Sequence, residues 1–256
     1  MSPADVCRHL AYLGPPVDLA SLLFTPPHSL LRQSYAPVDM RGGGTINVDG
    51  FGVGWYNPGS EVPVRYRRAL PIWTDTSFAA LAPTVCSSAV LAAVRSASPG
   101  MPVVETACAP FTSGRWLFSH NGRIFGWPGS VTALAARLPV ADLLTLDAPT
   151  DAALLWALVR HRLRGAEPPD VALAEVAAQV SAAAPGSRLN LLFTDGTVIV
   201  ATTVHHALSV RHTGDGVLVA SEPTDPGPGW ESVPQGHLLT ASTSRCAVAP
   251  IRTEEP

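Results

Sequence analysis

Apolar positions along this chain alternate between runs of strand length and one central stretch with helical spacing. Residues 7–13 predict a short strand ended by Gly14-Pro15-Pro16, and residues 18–24 a short helix stopped by Pro26-Pro27. Arg41-Gly42-Gly43-Gly44 predicts a flexible loop, and Asn47-Val48-Asp49-Gly50 a turn into a strand over 51–56. Gly52 and Gly54 cost that strand stability, so something is expected to approach its backbone closely. Residues 88–94 form an apolar run that delivers Arg95 at its end. Residues 115–119 form another that delivers His120-Asn121-Gly122. Helical periodicity through Ala153, Leu154, Ala157, Leu158 and His161 predicts a helix over 150–163, followed by an alanine-rich helix over 171–184. After Pro185-Gly186 the pattern returns to hairpins: 188–193 with 198–203 about Asp195-Gly196, then 207–212 with 217–221 about Gly214-Asp215-Gly216.

Strands, then two helices, then strands again predict an α+β arrangement of two sheets with helices packed outside them. The 256 residues show no internal repeat and no linker, so one domain is expected. Composition sharpens this. At 46% hydrophobic and 14% charged residues the chain suits a compact globule, not a disordered one. A net charge of −3 without a basic block argues against a nucleic-acid partner. All 17 basic residues are arginine, which excludes a P-loop and points to GC-rich coding DNA. The N-terminus carries neither a basic nor an apolar signal segment, and no 18-residue apolar run exists, so a cytoplasmic protein without a membrane partner is expected. The four cysteines, at 7, 86, 108 and 246, form no Cys-x-x-Cys pair and have no histidine at zinc-ligand spacing. No metal, cofactor or disulfide framework is expected, and Cys86, Cys108 and Cys246 read as small apolar fillers.

Cys7 changes the picture. A cysteine that becomes the first residue carries its own base, because a free α-amine has a pKa of roughly 7.7–8.0. Met1-Ser2-Pro3-Ala4-Asp5-Val6 stand in front of it. An asparagine followed by glycine at a strand end can place a side-chain N–H beside a backbone N–H, an oxyanion hole made by Asn121 and Gly122. The same dipeptide is also the commonest hairpin turn. Arg95 at the end of an apolar strand suits a bidentate carboxylate, with the Ser98 hydroxyl beside it, or is simply a surface arginine. Asp151 stands where a helix cap belongs and could equally hold an ammonium. A protease-like series of Cys7, His120 and Asn121 is disfavoured, since adjacent strand residues face opposite ways. His205 and His206 read as solvated hairpin residues.

The order of these residues resembles the class II glutamine amidotransferase domain of the N-terminal-nucleophile hydrolases. Segments throughout the chain carry a closer resemblance, to the γ-glutamyl hydrolases of ergothioneine biosynthesis. They include Cys7-Arg8-His9-Leu10, Gln33-Ser34-Tyr35-Ala36-Pro37, Asn47-Val48-Asp49-Gly50-Phe51-Gly52 and Ala93-Val94-Arg95-Ser96-Ala97. Ser119-His120-Asn121-Gly122, Arg188-Leu189-Asn190, Ala220-Ser221-Glu222-Pro223 and Pro228-Gly229-Trp230 continue the series. The resemblance implies a four-layer α-β-β-α sandwich over 7–250. It makes Cys7 the nucleophile, Asn121 and the Gly122 N–H the oxyanion hole, and Arg95 and Asp151 the holders of the glutamyl carboxylate and ammonium. Two departures stand out: family members begin Met-Cys, and Ser96-Ala97-Ser98-Pro99 replace the usual Trp-Ala-Thr-His.

The implied activity is removal of glutamate from γ-glutamyl-hercynylcysteine sulfoxide through a cysteinyl thioester. The alternatives are a glutaminase subunit that delivers ammonia to a partner synthetase, and an inactive binding module. Residues 1–6 are expected to be trimmed, or to reflect a start misplaced upstream of a GTG codon at Val6. Trp55, Tyr56, Trp73, Trp116 and Trp127 are the candidate aromatic faces for the quaternary ammonium of the leaving group. Nothing in the sequence sets an oligomeric state.

Overall fold

The computed structural model describes residues 7–40 and 46–252. The strands of the first half are β1 (Arg8–Asp18), β2 (Phe51–Trp55), β3 (Val64–Arg68), β4 (Cys86–Val94), β5 (Phe111–Ser113) and β6 (Trp116–Arg123). Those of the second half are β7 (Arg188–Thr194), β8 (Ile199–Thr203), β9 (Ser209–His212), β10 (Val217–Ala220), β11 (Trp230–Ser232), β12 (His237–Ala241) and β13 (Cys246–Pro250). The α-helices are α1 (Leu19–Leu23), α2 (Leu30–Gln33), α3 (Thr76–Leu81), α4 (Thr132–Ala135), α5 (Val140–Leu144), α6 (Asp151–Arg164) and α7 (Pro169–Ala183).

Side-chain alternation along the strands sorts apolar residues into three layers. On β1, Leu10 faces outward to Leu19, Leu23, Leu30 and Phe78 of the first helical layer. Ala11 and Leu13 face inward, where they meet Leu117, Leu192 and Ile199 of the other sheet. On that second sheet Phe118, Leu191 and Phe193 face outward to α6 and α7, and Phe118 stacks on Trp156 with ring centroids 5.4 Å apart. Two antiparallel sheets between helices result, ordered β11-β9-β10-β1-β4-β2-β3 and β13-β12-β8-β7-β6-β5. This is the expected α-β-β-α sandwich.

Gly52 and Gly54 explain themselves here. A Cβ on Gly52 would lie 2.2 Å from the Ala109 carbonyl, and one on Gly54 2.6 Å from Leu117. The inner segment 109–117 packs directly on the β2 backbone, as the glycine pair suggested.

Three local expectations need correction. β1 does not stop at Gly14 but continues to Asp18, because Pro15 and Pro16 fall in a gap of the ladder between Leu13 and Val17 where no N–H is required. β6 does not end before His120 either. It runs to Arg123, with Asn121 opposite Asn190 and Gly122 opposite Leu189, so Asn121-Gly122 is strand interior and not a turn. His206 is buried at 2% exposure, while only His205 is solvated. The predicted hairpins are present. At the Asp195-Gly196 turn the Asp195 carboxylate accepts the N–H groups of Thr197 and Val198 at 2.9 and 3.0 Å.

Candidate active site

Strand register gathers the chemistry at one end of the first sheet. Arg8 pairs with Val94, and Val94 with Phe51. Cys7, just before β1, and Arg95, just after β4, therefore leave the sheet side by side. The 47–50 turn holds this end together. The Arg95 N–H donates to Gly50 (2.8 Å), the Asp49 N–H to Arg95 (3.0 Å), and the Asp49 carboxylate accepts the Ala97 N–H (2.7 Å). The Cys7 thiol donates to the Ser96 carbonyl at 3.6 Å.

A cavity opens beside the thiol. Cys7, Arg95, Ser98, His120, Gly122 and Asp151 line it with apolar neighbours such as Phe51 and Phe111. Five of the six residues singled out in the sequence thus share one cavity. Arg95 donates to the Pro102 carbonyl at 3.0 Å. Asp151 opens α6, whose cap is the preceding Thr150, accepting the Ala153 N–H at 3.2 Å. One Asp151 oxygen accepts the Ile124 N–H (3.0 Å) and the other the Ala152 N–H (2.8 Å), which leaves lone pairs for a ligand. Gly122 has φ +149, and a Cβ there would sit 2.0 Å from the Arg188 carbonyl, so only glycine fits. The His120 ring donates through Nε2 to that same carbonyl at 2.9 Å.

Asn121, the sixth, lies elsewhere. It faces the gap between the sheets, donating through Nδ2 to the Ser221 hydroxyl at 3.3 Å, while its Oδ1 has no partner among the described residues. It lines a small cleft with Arg8, Asp39, His206, Ser221 and Glu222. Alternation nevertheless keeps it on the Cys7 side of its strand. His9 and Ser119 touch across the gap (Nδ1–Oγ 3.2 Å), and two residues along from each stand Cys7, just ahead of β1, and Asn121 on β6.

The histidines in this gap are poor bases. Burial, then the charges of His120, His206 and Arg8, lowers the His9 pKa to about 3. Burial, then Arg188, does the same to His206, also to about 3. Cys108 is buried with its pKa pushed up to about 11 by burial, so it packs as the sequence suggested. Cys86 and Cys246 are exposed and fill no core. Of the five candidate aromatics, Trp55 and Tyr56 are buried. Trp73 is exposed against Tyr35, and Trp127 lines an adjoining groove that shares Ser98 and Asp151.

Sequence reasoning missed the polar cluster behind the nucleophile. Glu222 accepts from Arg8 (2.8 Å), bonds the His28 ring (2.7 Å) and accepts the Val38 N–H (2.8 Å). Its carboxyl is raised by burial, but the bonds from His28, Val38 and Arg8 outweigh that and hold it below the ordinary value. The only available signal was the segment Ala220-Ser221-Glu222-Pro223. Residues 1–6, which decide whether Cys7 has a free α-amine, lie outside the described residues.

The family model for class-II glutamine amidotransferases matches residues 29–214. The chain is 41% identical to the γ-glutamyl-hercynylcysteine sulfoxide hydrolase of Mycolicibacterium smegmatis, over 96% of this chain and 100% of that one. Among solved structures, a glutamine aminotransferase class-II domain protein from Silicibacter pomeroyi superposes with a TM-score of 0.66. It shares 26% identity and covers 96% of this chain and 100% of its own. The glutamine phosphoribosylpyrophosphate amidotransferase of B. subtilis shares the fold at a TM-score of 0.69 and 14% identity, over 97% of this chain and 50% of its own.

Proposed function

The chain belongs to the class II glutamine amidotransferases, and from that membership we propose that it hydrolyses γ-glutamyl-hercynylcysteine sulfoxide to glutamate and hercynylcysteine sulfoxide. The observation that carries the proposal is the 41% identity to a hydrolase of that name across that relative's whole length. The cavity beside Cys7 supports it, because it offers a cation and an anion, Arg95 and Asp151, to the two charges of a glutamyl head.

The Cys7 thiolate attacks the γ-carbonyl carbon, and the carbonyl oxygen takes up the negative charge. The Gly122 N–H and the Asn121 amide donate to it. The C–N bond then breaks as the leaving nitrogen takes the thiol proton, giving a glutamyl thioester and free hercynylcysteine sulfoxide. Water adds to the thioester, the C–S bond breaks, and glutamate leaves with the thiol restored. The proton carrier in both halves is the α-amine of Cys7, which requires removal of Met1–Val6. Arg95 and Ser98 hold the α-carboxylate and Asp151 the α-ammonium.

The γ-glutamyl end is read by charge and the leaving group by aromatic and polar contact, so specificity is absolute at one end and graded at the other. Comparing kcat/KM for the sulfoxide conjugate, γ-glutamylcysteine and glutamine tests this. The conjugate is expected to be the best substrate. Glutamine better by tenfold or more would replace the hydrolase with an ammonia-supplying glutaminase.

A further inference from the structure

Ser221 and Glu222 follow β10 directly and face opposite ways, and the proposed chemistry uses neither. We propose that they are positioning residues: Glu222 fixes Cys7 through Arg8, and Ser221 fixes Asn121 against β1. The inference rests on the thioester chemistry proposed for Cys7.

Glu222 is 3% exposed and its two oxygens meet three donors, from Arg8, His28 and the Val38 backbone. Arg8 is 2% exposed. A guanidinium buried so deeply needs a carboxylate, because an unpaired buried charge is strongly destabilising. Held by Glu222, Arg8 turns its Nη1 onto the carbonyl of Cys7 itself at 3.0 Å and its Nη2 onto the carbonyl of Asp39. The nucleophile's own backbone is thereby anchored by the Arg8–Glu222 pair.

Ser221 works on the inner face. Its hydroxyl oxygen accepts the His9 N–H at 3.0 Å and the Asn121 amide at 3.3 Å, and its proton goes to the His9 carbonyl at 3.2 Å. That uses its one donor and both acceptor sites. One oxygen thus ties the Asn121 side chain to the backbone two residues after Cys7. The pair sets the distance between the attacking sulfur and the amide that must receive the developing oxyanion. Reactive geometry of this kind is steep, since a misplacement of about 1 Å costs roughly 100-fold in rate.

The test is steady-state kinetics on the γ-glutamyl conjugate, with Tm measured alongside. The proteins are the wild type, Ser221→Ala, Glu222→Gln and the double variant Arg8→Met/Glu222→Met. The kcat is expected to fall about 10-fold in Ser221→Ala and about 100-fold in Glu222→Gln, with KM within about threefold because Arg95 and Asp151 are untouched. The double variant removes both buried charges, so its Tm is expected near wild type while its kcat stays as low as that of Glu222→Gln. Unchanged kcat, a loss carried by KM, or kcat that returns with Tm in the double variant would overturn the proposal. Ser221→Ala removes one oxygen and no charge, so it decides the case even if the Glu222 variants fail to fold. A wild type inactive on every γ-glutamyl amide would instead remove the hydrolase assignment.

Discussion

A thiol with an ordinary pKa of about 8.5 is mostly protonated at neutral pH, so Cys7 attacks only with a base at hand. His9 and His206, each lowered to about 3, are far too weak. The base proposed here is the α-amine of Cys7. The kcat/KM is expected to rise with pH through about 7.7–8.0 as that amine loses its proton, and a rate independent of pH across the neutral range would contradict it. Cys7→Ala is expected to abolish turnover with Tm unchanged. Asn121→Ala is expected to lower kcat by about 10²–10³, the loss for one oxyanion donor, whereas a loss within about threefold would leave Asn121 a structural residue. Cys7, Arg95, Ser98, Gly122 and Asp151 were legible because each stands at or near the end of a strongly patterned element. Asn121 was picked out as a candidate but placed at a strand end, since only pairing with Asn190 makes Asn-Gly strand interior. Arg8 and Glu222 were not, because they lie 214 positions apart and nothing local joins them.

Among the elements, α6 bears most directly on substrate. Thr150 caps it and Asp151, proposed to hold the substrate ammonium, is its first residue, so the two share one turn. Thr150→Ala is expected to cost about 1 kcal/mol of stability, measured by urea unfolding, and to raise KM for γ-glutamyl substrates as Asp151 loses its fixed place. An unchanged KM would show that Asp151 is held by other means. α6, α7 and the later hairpins were readable because their apolar faces repeat at the period of their own structure. β3 and β13 were not. The β3 sequence Val64-Arg65-Tyr66-Arg67-Arg68 lies at a sheet edge and sends only Tyr66 against the core, while β13 is exposed throughout, so neither stands out as an apolar run.

At the scale of the whole molecule, a polar seam at one end of the otherwise apolar inter-sheet layer sets the response to acid. His9 and His206 are buried, 0% and 2% exposed. Unfolded, each takes a proton below its ordinary value of 6.5; folded, each resists until about 3. The unfolded state therefore binds more protons between these values, and stability is lost as pH falls from 6.5 toward 3. Glu222, held below its ordinary 4.5, adds a further loss below that pH. Tm is expected to decline from about pH 6.5 downward and more steeply below 4.5; a Tm flat over this range would contradict the buried neutral histidines. The four layers were legible at this scale because strand-length runs flank the helices, while the seam depends on residues brought together only by closure of the two sheets.

The central claim is that an N-terminal Cys7 carries the glutamyl group. Acid-quenching the active enzyme during turnover and measuring the mass of its N-terminal peptide tests that directly. A peptide that begins at Cys7 and carries one glutamyl group on its sulfur is the predicted result. A fully active enzyme still bearing Met1–Val6, or the glutamyl group found on any other residue, would contradict it.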